Sequence, residues 1–391
     1  MSPHDTSLAL LAMDFPPTRG GIQTLTVEIY ARLADLISLA VAPAAPGQGS
    51  AAPQYGLPLV RARRPAGPGW ATLAYLREGC QLLRGASTPA LLHCNHLFAG
   101  YAARWLRWRY GWRYAVWLHG EELGKIRNHR LATLTLSGAS LILTNSEFTA
   151  ALVRHALGRR RAPPLVVVPL GAPAAWIAAP LPPARAAGTA PTRPPVILTV
   201  ARLLARDRYK GIDTSLAAMA ELRRRGRAFQ YWIAGDGDDR GYLEDHARRL
   251  GIEDVVRFLG PVPDGQLMAL YDACDVFLLC SREEASVRGL GFEGFGIVLL
   301  EANARGKPVV GGHSGGVPDA VADGVSGLLV APRSPVAVAD GLEKLLLDPE
   351  LRQRLGAQGR ARVRSRYNWD NAAAVVRAAH LATCAELAVR S

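Results

Sequence analysis

Strand and helix signals alternate along this sequence in two series, and one Pro- and Ala-rich stretch separates them. Apolar strands that alternate with amphipathic helices build parallel sheets covered on both faces, so this order leaves few architectures open. The first series reads as strands at "LALLAM" (8–13), "ALLHCNH" (90–96), "YAVWLHG" (114–120), "ASLILTNS" (139–146) and "PLVVVPLG" (164–171). A helix "IQTLTVEIYARLADL" follows the first strand, and Ser146 is placed to cap another, with Glu147 and Thr149 in its first turn. Residues 172–195 then lack any sustained period and read as a linker. The second series runs through "VILTVARL" (196–203), "YWIAGDG" (231–237), "VVRFLG" (255–260), "DVFLLCS" (275–281), "KPVVGG" (307–312) and "SGLLVAP" (326–332), and residues 371–391 read as an Ala-rich amphipathic helix. The expected divisions are therefore 1–171, a linker 172–195, 196–370, and a C-terminal helix. Two doubly wound domains place their ligands at the carboxyl ends of their strands.

At 391 residues, 49% hydrophobic and 20% charged, the chain has enough material for two cores and the composition of a globular protein. Five scattered cysteines form no C-x-x-C pair and no zinc spacing, which suits free thiols in a reducing compartment. The N-terminus reads as a first strand rather than a signal peptide, and no apolar run approaches a membrane span in length, so the expected location is cytoplasmic. A net charge of +13 favours anionic partners: nucleic acid, anionic lipid or phosphorylated small molecules.

The second series holds the strongest chemical signals. "GFEGFGIVLLEA" (291–302) turns from a glycine-rich loop into a helix at Phe295, Gly296, Ile297 and Val298, and the free N–H groups of a helix start bind phosphate. On one helix Glu293 and Glu301 would lie about 12 Å apart and roughly 80° around the axis, too far to grip one atom together. They can contact two parts of one extended ligand, since carboxylates accept hydrogen bonds well from sugar hydroxyls. Taken alone, the pair also reads as a turn residue and a solvated helix residue. Arg202 and Lys210 flank the loop after the strand near Val200 and suit a diphosphate clamp, or else belong to a solvated basic loop, as Arg206, Asp207 and Arg208 do. "AGDGDDRG" (234–241) misses the dinucleotide fingerprint, because Arg240 stands at the third glycine, and it reads as a polar turn rather than a metal site. In the first series, Gly20 and Gly21 open a helix after "FPPTR", and His119 ends a strand on the same rim, where a lone histidine is commonly structural.

"FEGFGIVLLEA" matches the E-x7-E motif of retaining GT-B glycosyltransferases, and "VARLLARDRYKG", "IAGDGDD", "RFLGPVP", "YDACDVFLLCS" and "KPVVGGHSGGVPDAV" stand in the order seen in glycosyltransferase family 4. The likeness covers 196–332 almost without gaps. "DFPPTRGGIQT", "WLHGEEL", "TNSEFTA" and the loop "REEASVRGLG" resemble the branch of phosphatidylinositol-mannoside mannosyltransferases, while residues 38–70 depart from it. The resemblance implies an α/β GT-B fold of two Rossmann-like domains facing across a cleft, with the C-terminal helix crossing back. It gives Arg202 and Lys210 to the donor diphosphate, Glu301 to the ribose and Glu293 to the transferred hexose. The backbone at Phe295, Gly296, Ile297 and Val298 would meet sugar and phosphate. Val262 would line the base, His119 would lie near the reacting sugar, and Gly20 and Gly21 would close over the phosphates. No metal or other cofactor is implied. The donor would be GDP-mannose or a UDP-hexose, and the acceptor an envelope glycolipid or polysaccharide precursor; the alternative is a UDP-sugar-dependent retaining transferase acting on a small soluble acceptor. Basic tracts at 61–64, 104–113 and 154–161, with Trp105, Trp108 and Trp112 interleaved, suit either helix packing or docking at the inner face of an anionic membrane. A nucleic-acid-binding protein is the non-enzyme alternative, and no RRM, helix-turn-helix or zinc-finger signature supports it.

Overall fold

A computed structural model describes residues 5–17, 20–44, 55–63, 70–124, 129–160, 162–182, 193–286 and 289–390. Thr18, Arg19, Arg64, Arg161, Val287, Arg288 and residues 183–192, all within stretches singled out above, lie outside these. The chain divides into two compact units, Met1–Leu170 with Trp369–Ser391 (unit 1) and Gly171–Asn368 (unit 2).

Unit 1 holds strands β1 Leu8–Leu11, β2 Ile37–Pro43, β3 Leu59–Ala62, β4 Leu91–Cys94, β5 Tyr114–Leu118, β6 Leu141–Thr144 and β7 Leu165–Val167. They pair in parallel in the order β3-β2-β1-β4-β5-β6-β7. Its helices are α1 Gly21–Ala31, α2 Trp70–Gly85, α3 Leu97–Tyr110, α4 Glu121–Gly124, α5 His129–Gly138 and α6 Glu147–Leu157. Unit 2 begins with a short helix, α7 Ala174–Ala178. Its strands β8 Val196–Val200, β9 Gln230–Ala234, β10 Val256–Gly260, β11 Val276–Leu279, β14 Val309–Gly312 and β15 Gly327–Val330 form a parallel sheet in the order β10-β9-β8-β11-β14-β15. A hairpin, β12 Glu284–Ser286 with β13 Gly289–Gly291, stands apart. Helices α8 Ile212–Arg224, α9 Arg240–Arg249, α10 Asp264–Ala273, α11 Ile297–Ala304, α12 Val317–Ala320, α13 Pro335–Leu347 and α14 Pro349–Ser365 complete the unit, and α15 Trp369–Arg390 returns to unit 1.

The central strands are buried along their whole length, as in "LALL", "LLHC", "YAVWL" and "VFLL", because helices cover both faces of each sheet. That is why they read as unbroken apolar runs. In both sheets the order reverses once, between β1 and β4 and between β8 and β11. The loops leaving those four strands are where a doubly wound sheet places its ligand. Ser146 caps α6 as its position suggests, its Oγ accepting from the Thr149 N–H at 3.2 Å.

The structure departs from the sequence reading in four places. Residues 38–70 carry two strands, β2 and β3, where only Ala, Pro and Gly were legible; β3 forms the edge of the sheet, and β2, "ISLAVAP", lies between it and β1. The "REEASVRGLG" loop contains the β12–β13 hairpin. The start of the expected linker is fixed to unit 2: Arg305, buried at the end of α11, pairs with Asp272 at 2.7 and 3.0 Å and donates to the carbonyls of Trp176, Ala179 and Pro180. Finally, Trp369–Val389 is long and apolar enough to cross a membrane by length and composition. Its alanines supply that hydropathy, and Trp369, Ala372, Val376 and Cys384 are buried within unit 1 against neighbours that include α1.

Candidate functional site

In unit 2 the sequence-selected residues converge on the strand exits beside the switch point. Arg202 and Lys210 sit on the loop leaving β8, Glu293 follows the hairpin that leaves β11, and α11 begins four residues later. The Lys210 Nζ donates to Glu293 Oε2 at 2.9 Å, joining residues far apart in sequence. Burial alone would lower the lysine pKa, but the Glu293 carboxylate and the Tyr209 hydroxyl hold it above the ordinary 10.5, so the ammonium stays charged. An ammonium has three donors and a carboxylate about four acceptor positions, so each partner retains capacity for a ligand.

Both ends of this pair are held by backbone. Gly211, at a φ of 70°, brings the chain so near the Cys280 carbonyl that a Cβ would overlap it. The Arg282 N–H donates to the Tyr209 carbonyl at 2.7 Å, and the buried Arg282 guanidinium pairs with both oxygens of Asp213 at 2.7 and 3.0 Å. Opposite, the Gly316 N–H donates to the Glu293 carbonyl at 2.8 Å. Gly315, at a φ of 57°, lets that loop approach; a Cβ there would lie 2.6 Å from the same oxygen. Gly211→Ala is therefore expected to lower the melting temperature by several degrees and to reduce turnover, since the loop must move off Cys280 and takes Lys210 with it. A calorimetric scan beside a rate assay checks both effects.

Arg202 is fixed from the side. Its Nη2 lies 3.0 Å from Asp207 Oδ2, and Asp207 is buried although it read as a solvated loop residue. Arg208 is likewise engaged, its guanidinium gripping Asp239 at 2.6–3.1 Å. The "GDGDD" turn after β9 explains both: Leu203 donates to the Asp236 carbonyl at 3.0 Å, Asp239 donates back to Leu203 at 2.9 Å, and Asp238 Oδ1 accepts from Ala205 at 2.8 Å. The turn shapes the basic loop. Among the described residues, no group of three or more His, Cys, Asp or Glu side chains forms a metal-ligand cluster.

The start of α11 is open. Gly296 is its N-cap and supplies no side-chain bond, so the first N–H groups, at Ile297 and Val298, keep their donors. The Phe295 ring is buried near Tyr367, 6.1 Å between centroids. Glu301 lies one turn in. The buried Tyr271 hydroxyl donates to its Oε2 at 2.8 Å. Burial pushes the Glu301 pKa up to about 7, Tyr271 pulling it down and Asp264 adding to the rise. Val262 is half-buried on the loop between β10 and α10.

In unit 1 the corresponding rim is a polar network. His119, at the exit of β5, is 5% exposed. Its Nε2 lies 2.7 Å from the Asn95 carbonyl, and Asn145 Nδ2 donates to Nδ1 at 3.0 Å, which fixes the proton on Nε2. Burial lowers its pKa below 6.5 against the pull of Glu122, and both ring nitrogens are occupied. Asn95 Oδ1 accepts from Met13 N at 2.7 Å, and its Nδ2 donates to the Asp14 carbonyl at 2.9 Å, so the exits of β1, β4, β5 and β6 are tied together. Gly20 caps α1 without a side-chain bond, and Gly21 is that helix's first residue; both are exposed. Asn95, Asn145 and Tyr271 were not singled out from sequence. The available signal was a polar residue directly after an apolar strand in "LLHCN" and "LILTN".

A family model described as glycosyl transferase 4-like domain matches residues 20–171, and one described as glycosyl transferases group 1 matches residues 182–362. The chain belongs to glycosyltransferase family 4, and its fold is of the GT-B type. It is 36% identical over 180 residues to the GDP-mannose-dependent alpha-(1-6)-phosphatidylinositol monomannoside mannosyltransferase of Mycobacterium tuberculosis, a match covering 46% of each chain. It is 40% identical over 146 residues to a D-inositol 3-phosphate glycosyltransferase of Corynebacterium aurimucosum, covering 36% of this chain and 32% of that one. The chain thus spans about half or less of the length of the curated relatives it matches. Among solved structures, the sucrose-phosphate synthase of Thermosynechococcus elongatus superposes with a TM-score of 0.78 at 22% identity, covering 98% of this chain and 100% of that one. Anabaena HepE in complex with UDP-glucose superposes at 0.73 and 22%, covering 96% and 99%.

Proposed function

We propose that the protein is a retaining glycosyltransferase that moves a hexose from a nucleotide sugar to a hydroxyl acceptor, with GDP-mannose as donor and an envelope glycolipid or polysaccharide precursor as acceptor. The observation that carries this reading is the Lys210–Glu293 pair, 2.9 Å apart, beside the uncapped start of α11. A diphosphate at that helix start meets free N–H groups, the Lys210 ammonium and the Arg202 guanidinium. A hexose beyond it reaches Glu293, and a ribose on the other side reaches Glu301. The relative named as a GDP-mannose-dependent phosphatidylinositol monomannoside mannosyltransferase supports the donor and acceptor classes.

In the proposed step the acceptor oxygen bonds to the anomeric carbon on the face from which the diphosphate departs, and the carbon–oxygen bond to phosphate breaks. The acceptor's proton passes to an oxygen of the leaving diphosphate. Arg202 and Lys210 neutralise the charge that grows there, so no metal is required. Chelation by EDTA is expected to leave turnover unchanged. His119, with both ring nitrogens engaged, shapes the acceptor rim and takes no proton. A thermal-shift screen against GDP, UDP, ADP and their sugars tests the reading. GDP and GDP-mannose are expected to raise the melting temperature most; a larger shift with a UDP-sugar replaces the donor assignment, and no shift with any nucleotide removes the reading.

Glu301 makes this binding pH-dependent. An ionised carboxylate accepts better from ribose hydroxyls, so nucleotide affinity is expected to strengthen as pH rises through about 7. Its raised pKa means the folded state binds more protons than the unfolded one between pH 4.5 and 7. Stability therefore falls as pH rises through that window. Glu301→Gln is expected to melt higher than the wild type at pH 8 and alike at pH 4.5, while its nucleotide affinity becomes flat with pH.

A further inference from the structure

Helices α10 and α11 meet through two consecutive side chains of α10. The Tyr271 hydroxyl donates to Glu301 Oε2 at 2.8 Å, and Asp272 pairs with Arg305, one turn further along α11, at 2.7 and 3.0 Å. The Tyr271 ring is fully buried and held on two sides, with Phe277 stacked at 5.4 Å between centroids and Trp176 edge-on at 5.3 Å. Trp176 belongs to α7, in the stretch that reads from sequence as linker, and its carbonyl accepts from Arg305 Nη1 at 3.0 Å. The contacts close on themselves: Arg305 holds Asp272 and Trp176, Trp176 holds Tyr271, and Tyr271 holds Glu301.

The last torsion of a glutamate side chain is broad, so an unanchored carboxylate has no preferred plane. Tyr271 removes that freedom and leaves most of the acceptor capacity. One position on Oε2 is taken, and Oε1 has no hydrogen-bond partner among the described residues. Burial, and after it the Glu301 charge, hold the Tyr271 pKa well above 10, so the hydroxyl keeps its proton and donates. Other charges near α11 are committed elsewhere. Helix α10 also brings Asp264 and Asp272, α12 brings Asp319, and α14 brings Arg360 and Arg362, while α7, β11 and β14 bring none. Asp272 is engaged by Arg305, Arg360 by the carbonyls of Ile177 and Ala179, and Arg362 by those of Asp319 and Ala320.

A ribose offers adjacent 2′- and 3′-hydroxyls. Two donors side by side match the two oxygens of a carboxylate whose plane is fixed, whereas a 2′-deoxyribose offers one donor and leaves an acceptor unmet. We propose that Tyr271 is the positioning residue of the nucleotide site: held by Trp176, it fixes the Glu301 carboxylate so that recognition depends on both ribose hydroxyls and selects ribonucleotides over 2′-deoxyribonucleotides. The inference rests on the reading of Glu301 as the ribose contact, and it adds what orients that contact. It also makes the segment at 174–178 part of the donor site rather than a passive connection.

Calorimetric titration of GDP, UDP and their 2′-deoxy forms into the wild type, Tyr271→Phe and Glu301→Ala, from pH 6 to pH 9, tests the proposal. At pH 8 the wild type is expected to bind the preferred ribonucleotide about tenfold or more tightly than its 2′-deoxy form. Tyr271→Phe keeps the ring and removes the donor. It should lower ribonucleotide affinity by about fivefold or more and shrink the ratio between the two forms. Tyr271 pulls the Glu301 pKa down, so its loss moves the rise of affinity from about 7 to higher pH, and part of the lost affinity should return at pH 9. Trp176→Leu leaves the hydroxyl in place and should shrink the ratio by a smaller factor. Should Tyr271→Phe fail to fold, an unchanged ratio in Trp176→Leu overturns the proposal. A uniform loss of affinity at every pH in Tyr271→Phe, with the ratio and the pH midpoint unchanged, also overturns it, since packing alone would act that way. Ribonucleotide binding to Glu301→Ala as tight as to the wild type overturns the ribose reading itself. Weak binding to Glu301→Ala beside a Tyr271→Phe that behaves as the wild type overturns only the positioning role.

Discussion

Glu293→Ala is expected to lower turnover by about a thousandfold while affinity for free GDP or UDP changes by no more than about twofold. The asymmetry follows from position. Glu293 lies on the loop before α11 and Glu301 one turn inside it, so in the proposed pose Glu293 meets the hexose and not the nucleoside. Its Oε2 also holds the Lys210 ammonium. Removing it costs one anchor for the sugar and one orienting partner for the clamp. Both effects appear only when the sugar is present and charge is moving to the diphosphate. The variant is also expected to lose a little stability, because Lys210 is largely buried and is left without its ion partner. Glu293→Gln separates the two contributions: the amide keeps the shape and one acceptor, so the fold recovers while turnover stays low. Kinetics with the nucleotide sugar, titration of the free nucleotide and a melting curve on each variant give the answer. A fully active Glu293→Ala would remove the hexose role.

The second large effect is expected from Arg202→Ala combined with Lys210→Ala. Two cations aimed at the leaving diphosphate are each worth about a hundredfold or more in rate, and they act on the same developing charge. Turnover should be abolished within detection, and nucleoside diphosphate affinity should fall by at least tenfold. The supports differ, and so should the single variants. Arg202 is exposed, but its loss leaves the buried Asp207 carboxylate without that ion partner, so a modest fall in melting temperature is expected. Lys210 is paired in a recess, so its loss strands Glu293 and should destabilise the fold, with Glu293→Ala restoring part of that loss in the double variant. Unchanged kinetics in the Arg202 and Lys210 double variant would remove the clamp.

What could be read from the sequence follows the physics of each element. Strands buried on both faces announce themselves as apolar runs, so the core of both sheets was legible. Strand β2 and the edge strand β3 were not, because small residues beside Pro and Gly leave little pattern to show. The E-x7-E spacing gave the two carboxylates near the helix start, and the glycines between them gave the turn into α11, where Gly296 is the N-cap. The Lys210–Glu293 pair was beyond reach, since it joins loops that leave different strands. Asp207 was misread for a related reason: a carboxylate in a run of arginines looks solvated until the fold buries it against one of them. His119 was legible as a rim residue, yet its engagement by Asn95 and Asn145 depends on three strand exits meeting. The tryptophans at 105, 108 and 112 share one composition and take two fates, Trp112 packed and the other two exposed, which only the direction of each side chain separates.

The central claim is that one nucleotide sugar lies across the start of α11, with ribose at Glu301 and hexose at Glu293. Calorimetric titration of GDP and UDP into the wild type, Glu301→Ala and Glu293→Ala measures this directly. The preferred nucleotide should bind the wild type and Glu293→Ala alike and bind Glu301→Ala at least tenfold more weakly. A nucleotide that binds Glu301→Ala as tightly as the wild type, or that loses affinity only when Glu293 is removed, would contradict the placement.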